Sequence, residues 1–300
     1  MKILLTGVNG QVGFYINKKL SSFYEVFGVT REIFDLTNID QMEKVIDDVK
    51  PDLIINPAAY TNVDQAEKEP ELVFKTNLEG PKFLALKSKK LGIPLIQFST
   101  DYIFDGSKVG AYIETDKAMP KSVYGKSKYG AEISIQEHNL KHIIIRTSWV
   151  YSLRGKNFLT TILDMAKKKS GFSIVSDQIG APTSAIFIAN SIFEIVKKIE
   201  QIEKNNLYGI YNLTCLGKAS WFEFAKEIIL NTNELGIELK CAANNIKPIQ
   251  TTDFPTLAMR PLNSILNNEK LLKTFEIKCP EWQNELKIII GNKCEYKNGY

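Results

Sequence analysis

Histidine is nearly absent: His138 and His142 are the only two in 300 residues. They share an i,i+4 spacing, but no HExxH motif or cysteine cluster accompanies them, so no metal centre is expected. The four cysteines, Cys215, Cys241, Cys279 and Cys294, lie far apart in the C-terminal third without CxxC spacing. That fits reduced thiols in a cytoplasmic protein better than a disulfide framework. Long apolar runs are missing as well. None approaches the about 18 residues a membrane helix requires, and the run in MKILLTGVNG stops at Thr6, short of a signal-peptide core. Secretion and membrane insertion are therefore not expected. A strong charge of one sign is also lacking. The net charge is +4, and basic runs such as KSKK and AKKKSG sit among apolar helical positions. They read as solvated faces, not as a nucleic-acid surface.

What is present is ordinary globular material, 44% hydrophobic and 24% charged, enough for a substantial core. The first half alternates short β-rich runs with helical patterns. KILLTG (2–7), EVFGV (25–29), DLIIN (52–56), PLIQFST (94–100) and HIIIRTSW (142–149) read as strands. Helices are expected near 11–20, at 39–49, from about 70 to 90 and at 124–138. Near-continuous apolar strands indicate a parallel sheet covered on both faces, and strand–helix alternation indicates right-handed βαβ units. The expected class is α/β, a doubly wound parallel sheet of Rossmann type. After about residue 150 the alternation loosens into a smaller, interleaved C-terminal region.

TGVNGQVG places Gly7, Gly10 and Gly13 between the first strand and the first helix, the context in which glycines bind a dinucleotide. Gly7 permits the tight turn, Gly10 the approach of a pyrophosphate, and Gly13 close packing of helix on sheet. The second strand ends in Thr30 and Arg31, where an NAD-preferring site usually carries an acid. A guanidinium there suits a 2′-phosphate, so NADP(H) is favoured; Glu32 beside it keeps NAD(H) open. NPAAYT (56–61) and STDYIFDG (99–106) follow the third and fourth strands, on the edge where open α/β sheets bind ligands. Ala58 and Ala59 would let a cofactor lie close, and Thr100 would point a hydroxyl into the cleft. Tyr124 and Lys128, four apart in VYGKSKYGAE, share a helix face. The same spacing recurs at Tyr15 and Lys19, so spacing alone has no meaning. Only Tyr124 and Lys128 follow a strand-end threonine toward the cleft of the glycine loop.

These stretches, with TNLEGP, RTSWVY, DQIGAPT and RPLNSIL, carry a resemblance over essentially the whole chain. The chain resembles the extended short-chain dehydrogenase/reductases, and within them the branch that reduces dTDP-4-dehydro-L-rhamnose. The resemblance implies NADPH-dependent reduction of the C4 ketone of a nucleotide-linked deoxysugar. It implies Tyr124 as general acid, Lys128 as its electrostatic partner and ribose ligand, and Thr100 as a donor to the reacting oxygen. The physical expectation is that the Lys128 ammonium lowers the phenol pKa. By the same matching, Gly10, Gln11, Val12, Asp35, Leu36, Ala58, Ala59 and Tyr60 correspond to cofactor contacts, and Asp101 and Trp149 to sugar-nucleotide contacts. Residues 1–150 would form the NADP(H)-binding Rossmann domain, with 184–215 returning to it, 151–290 the substrate-binding region, and 291–300 a polar tail. Some relatives carry an acid two residues after the third glycine, where it helps bind Mg²⁺ at a dimer interface. Tyr15 stands there, which leaves a homodimer open but argues against a metal bridge.

Two rivals share the resemblance. Sugar-nucleotide epimerases and 4,6-dehydratases use the same fold, but dehydratases need an Asp-Glu pair after the threonine, and here Asp101 precedes Tyr102. The regulatory β subunit of methionine adenosyltransferase is similar to this branch and binds NADP without catalysis; the intact Thr100, Tyr124 and Lys128 argue against that role.

Overall fold

In a computed structural model, residues 1–201 and 207–297 are described. Its centre is a parallel sheet of β1 (Lys2–Thr6), β2 (Glu25–Val29), β3 (Leu53–Asn56), β4 (Leu95–Thr100), β5 (His142–Thr147) and the strand Gly209–Asn212. From one edge the order is Gly209–Asn212, β5, β4, β3, β1, β2. Every neighbouring pair is parallel. Each residue of β3, β4 and β5 is buried, which is why their apolar residues run on instead of alternating, with the polar exceptions concentrated toward the carboxyl ends. β1 shows the two-residue period underneath: Ile3 and Leu5 enter one core cluster, Leu4 the other. β2 and β3 lie on opposite sides of β1, so the winding reverses there and a crevice opens beyond the strands' carboxyl ends.

The helices are α1 (Gln11–Leu20), α2 (Ile39–Val49), α3 (Val63–Ala66), α4 (Pro70–Phe74), α5 (Gly80–Leu91), α6 (Val123–His138), α7 (Phe158–Lys168), α8 (Ala185–Gln201), α9 (Trp221–Glu234), α10 (Glu269–Phe275) and α11 (Trp282–Lys297). Ile16 and Leu20 of α1 join Ile188 and Ile192 of α8 over one sheet face. Met42, Ile46, Leu84, Ala131 and Ile135 of α2, α5 and α6 cover the other. The single helix expected over 70–90 is interrupted by a π-helical segment, Lys75–Glu79, between α4 and α5. Pro81 explains the break: it has no N–H for the Asn77 carbonyl and its ring crowds that group. The Gly80 N–H bonds Lys75 O, five residues back, and carries the chain across. The polar tail expected over 291–300 is helical as far as Lys297; 298–300 lie outside the described residues.

Beyond β5 the chain makes short strand pairs: Val150–Tyr151 with Thr183–Ser184, Ile179–Gly180 with Ala219–Ser220, and Phe172–Val175 with Ile246–Ile249. Together with α7, α9 and α11 they build a lobe over the carboxyl edge of the sheet. Ser220 starts α9 with a reciprocal capping box to Glu223, which fixes Trp221 at the helix's first turn.

Candidate active site

The glycine loop is shaped by close approach. Gly7 has φ +60°, and a Cβ there would sit 3.0 Å from Ala58 Cβ. At Gly13 a Cβ would fall 2.2 Å from the Gly7 carbonyl oxygen, so only glycine lets α1 pack onto the loop. Gly10 caps α1 with no side-chain bond, and no acid occupies the first turn. The first N–H groups and the positive helix end therefore face the crevice, which suits a pyrophosphate. Side chains tie the strand ends together. Thr6 Oγ1 donates to Asn56 Oδ1 (2.5 Å), Asn56 Nδ2 to Gln97 Oε1 (2.8 Å), and the Ala58 N–H to Thr6 Oγ1 (3.3 Å). The Asn77 carboxamide holds Tyr60 through both backbone groups and also donates to Ser127 on α6.

At the end of β2, Arg31 is largely exposed and its Nε pairs with Asp35 at 3.2 Å. Burial raises the Asp35 pKa, but the Thr37 backbone and hydroxyl bonds and the Arg31 charge outweigh it and hold the carboxyl below its usual range. Thr30 Oγ1 donates to Glu32 at 2.9 Å. A carboxylate thus lies at the strand end after all, supplied by Glu32 beside the threonine. A polar recess of about 820 Å³, lined by Arg31, Glu32, Asp35, Thr37 and Lys75 among others, lies at this end.

Ser122 Oγ caps α6 by accepting from the Gly125 N–H, which sets Tyr124 and Lys128 in the first turns facing the crevice. Lys128 is buried and its Nζ donates to Phe98 O at 2.7 Å. Burial pushes its amine down to about 8, opposed by the charge of Glu132 one turn later. Glu132 is itself held by Arg146 Nε and Nη2 (3.0 and 2.7 Å), a buried bidentate pair. Burial pushes the Tyr124 phenol well above its ordinary value, and the opposing contribution comes from the Thr100 hydroxyl. This corrects the expectation that the Lys128 ammonium would lower it: that amine is turned to the Phe98 carbonyl. Thr100 Oγ1 donates to Asp101 Oδ1 (3.0 Å) and accepts from the Tyr102 N–H (3.2 Å).

On the far wall, Trp149 has φ +49°, a left-handed backbone that is rare for so large a residue. Its indole stacks on Trp221 with centroids 3.4 Å apart and planes 3° from parallel. Gly180 makes room, since a Cβ there would lie 2.4 Å from Trp149 Cε2. Arg260 reaches in from the C-terminal segment. Its Nη2 binds Asp64 of α3 at 2.6 Å and its Nη1 approaches the Tyr102 hydroxyl at 3.4 Å. The Tyr102 ring meets Tyr124 edge-on at 5.6 Å.

All these parts line one cleft of about 720 Å³. It gathers every residue selected from the sequence: Gly7, Gly10, Gln11, Val12, Thr30, Arg31, Asp35, Leu36, Ala58, Ala59, Tyr60, Thr100, Asp101, Tyr124, Lys128 and Trp149. Tyr15 and Lys19, the duplicate spacing, are not among its lining. Tyr102, Lys156, Phe158, Trp221 and Arg260 also line it and carried no role in the sequence reading. Arg260 opens the matched stretch RPLNSIL; Trp221 follows a capping serine and reads as the start of an ordinary helix. Within the described residues, no cluster of side chains could hold a metal ion.

The profile of the RmlD substrate binding domain family matches residues 1–294. The chain is 38% identical to a dTDP-4-dehydrorhamnose reductase of Burkholderia thailandensis, over 94% of this chain and 96% of that protein. The crystal structure of a dTDP-4-dehydrorhamnose reductase of Clostridium acetobutylicum superposes with a TM-score of 0.89 at 38% identity, covering 98% of this chain and 100% of the other. A Bacillus anthracis dTDP-4-dehydrorhamnose reductase solved in complex with NADP gives a TM-score of 0.88 at 34% identity, over 97% and 99%.

Proposed function

From the premise that the chain belongs to the RmlD substrate binding domain family, we propose how its cleft works as an NADPH-dependent 4-ketoreductase of a nucleotide-linked deoxysugar. The substrate is dTDP-4-dehydro-L-rhamnose and the product dTDP-L-rhamnose. NADP(H) is the favoured cofactor and NAD(H) remains usable. The observation that carries the reading is the placement of a half-buried tyrosine, a buried lysine and a strand-end threonine in the same cleft as a glycine cradle that any Cβ would fill.

Residues 1–150, with 184–215 returning to the same sheet, form the cofactor-binding domain, and 151–290 mainly close over the sugar nucleotide. The α1 N-terminus takes the pyrophosphate, Arg31 the 2′-phosphate, and Ala58, Ala59 and Tyr60 the adjoining face. Lys128 holds the nicotinamide ribose. When bound, the nicotinamide supplies the hydride that the ketone carbon accepts. Tyr124 keeps its proton at neutral pH because burial disfavours phenolate, and it gives that proton to the oxygen as negative charge develops. Thr100 adds a hydrogen bond to the same oxygen. Trp149, stacked on Trp221, excludes water on the sugar side, and Asp101 contacts the sugar. Elimination chemistry lacks its second carboxylate, because Tyr102 occupies that position and is occupied by Arg260. The protein works in the cytoplasm, where its nucleotide substrates are, and no helix among the described residues is long and apolar enough to cross a membrane.

The test is NADPH oxidation with a panel of nucleotide 4-ketosugars. Wild type turns over the dTDP-linked 4-keto-6-deoxy sugar, and Tyr124→Phe lowers kcat by about 10²–10⁴, the range for a general acid. Full activity in Tyr124→Phe would remove Tyr124 from its role.

A further inference from the structure

The hydrogen bonds of Thr100 conflict with its task. A hydroxyl has a single proton to give and two lone pairs to receive. Thr100 already receives the Tyr102 N–H and spends its proton on Asp101 Oδ1. With Asp101 ionised, nothing remains to donate to a reacting oxygen, and the free lone pair competes for the Tyr124 proton. Asp101 itself is 2% exposed, and its second oxygen, Oδ2, is buried without a hydrogen-bond partner. A bare carboxylate oxygen in that setting is costly; a protonated carboxyl is not.

We propose that Asp101, besides meeting the sugar through Oδ2, is a positioning residue that through Oδ1 sets the direction of the Thr100 hydroxyl. When protonated it donates to Thr100 Oγ1, and the Thr100 proton turns toward the oxygen developing at the ketone carbon. The Asp101 proton is shared in a hydrogen bond and is not consumed, so the reaction balance is unchanged: hydride to carbon, Tyr124 proton to oxygen. This rests on the ketoreductase reading above.

The groups around Asp101 agree. Tyr102 beside it and Tyr124 on α6 are both neutral phenols raised by burial. Of the cations lining the cleft, Lys128 donates to Phe98 O, Arg260 to Asp64 and to the Tyr102 hydroxyl, and Arg31 to Asp35, and no ion pair to Asp101 is formed among the described residues. Burial lifts Asp101 to about 6, checked by the Thr100 hydroxyl and by backbone N–H groups.

The test is the pH dependence of kcat under saturating NADPH and ketosugar, with NADPH fluorescence titration reporting that each variant is folded. In wild type, kcat falls by up to tenfold per pH unit as Asp101 ionises above pH about 6. In Asp101→Asn the carboxamide NH₂ donates to Thr100 at every pH, so that limb flattens. Thr100→Val, which has no hydroxyl to turn, loses the limb together with much of the rate. A limb that persists in Asp101→Asn or in Thr100→Val, or a wild-type kcat that rises through this range, overturns the proposal. Absence of ketosugar turnover by wild type at any pH would instead defeat the ketoreductase reading.

Discussion

Lys128 shows what the site costs the fold at the scale of one residue. Its amine is buried, and its pKa near 8 lies below the roughly 10.4 of a free lysine. The sign follows from linkage. Below pH 8 both folded and unfolded forms carry the charge, so the full burial cost is present; it fades as pH rises from 8 toward the unfolded value. Lys128→Met is therefore expected to stabilise the ligand-free protein at pH 7 by about 1–3 kcal/mol while abolishing turnover. Urea unfolding at pH 7 and pH 10 measures this, and the gain should shrink at the higher pH. Arg31 is the opposite case, exposed and paired only with Asp35. Losing its bonds to a 2′-phosphate is worth about 1.5–3 kcal/mol. Arg31→Ala should thus raise the KM for NADPH relative to NADH by about tenfold or more, and an unchanged ratio in steady-state kinetics would contradict the assignment.

At the scale of elements, the glycine loop and α1 were legible because their geometry is local. Gly7 must adopt a positive φ and Gly13 must lack a Cβ, and both needs are written in TGVNGQVG itself. Gly13→Ala is expected to push α1 off the loop and weaken NADPH binding by at least tenfold, as read by fluorescence titration. The break between α4 and α5 was less legible, since the apolar periodicity runs through it and only Pro81 marks the register shift. The wall opposite Tyr124 was legible only in part. Trp149 could be placed at the end of β5, but its partner Trp221 arrives from a distant capped helix, and Arg260 from a segment pinned by Asp64. Such encounters are set by tertiary packing, which no local spacing encodes. The Tyr124 shift runs against the expectation attached to Lys128 for the same reason: burial of the phenol and the turn of the amine to the Phe98 carbonyl are tertiary.

At the scale of the whole molecule, the sheet's carboxyl edge meets the later lobe, and the cleft between them holds donors from the glycine loop after β1, from β4, from α6 and from the C-terminal segment. Ligands that bind only the folded protein should stabilise it by about 2.7 kcal/mol at a hundred times their Kd, so NADPH should raise the Tm, and dTDP-linked sugar should raise it further. The reductase reading also differs from its rivals in where the hydride ends. A dehydratase or epimerase returns it to its own cofactor, whereas a reductase releases one oxidised cofactor per turnover. The most direct measurement is transfer from NADPH deuterated at the donor position to dTDP-4-dehydro-L-rhamnose, with the product read by NMR and mass spectrometry. The expected result is one deuterium at C4 of dTDP-L-rhamnose for each NADP⁺ formed; product without deuterium at C4, or no net NADPH oxidation, would contradict it.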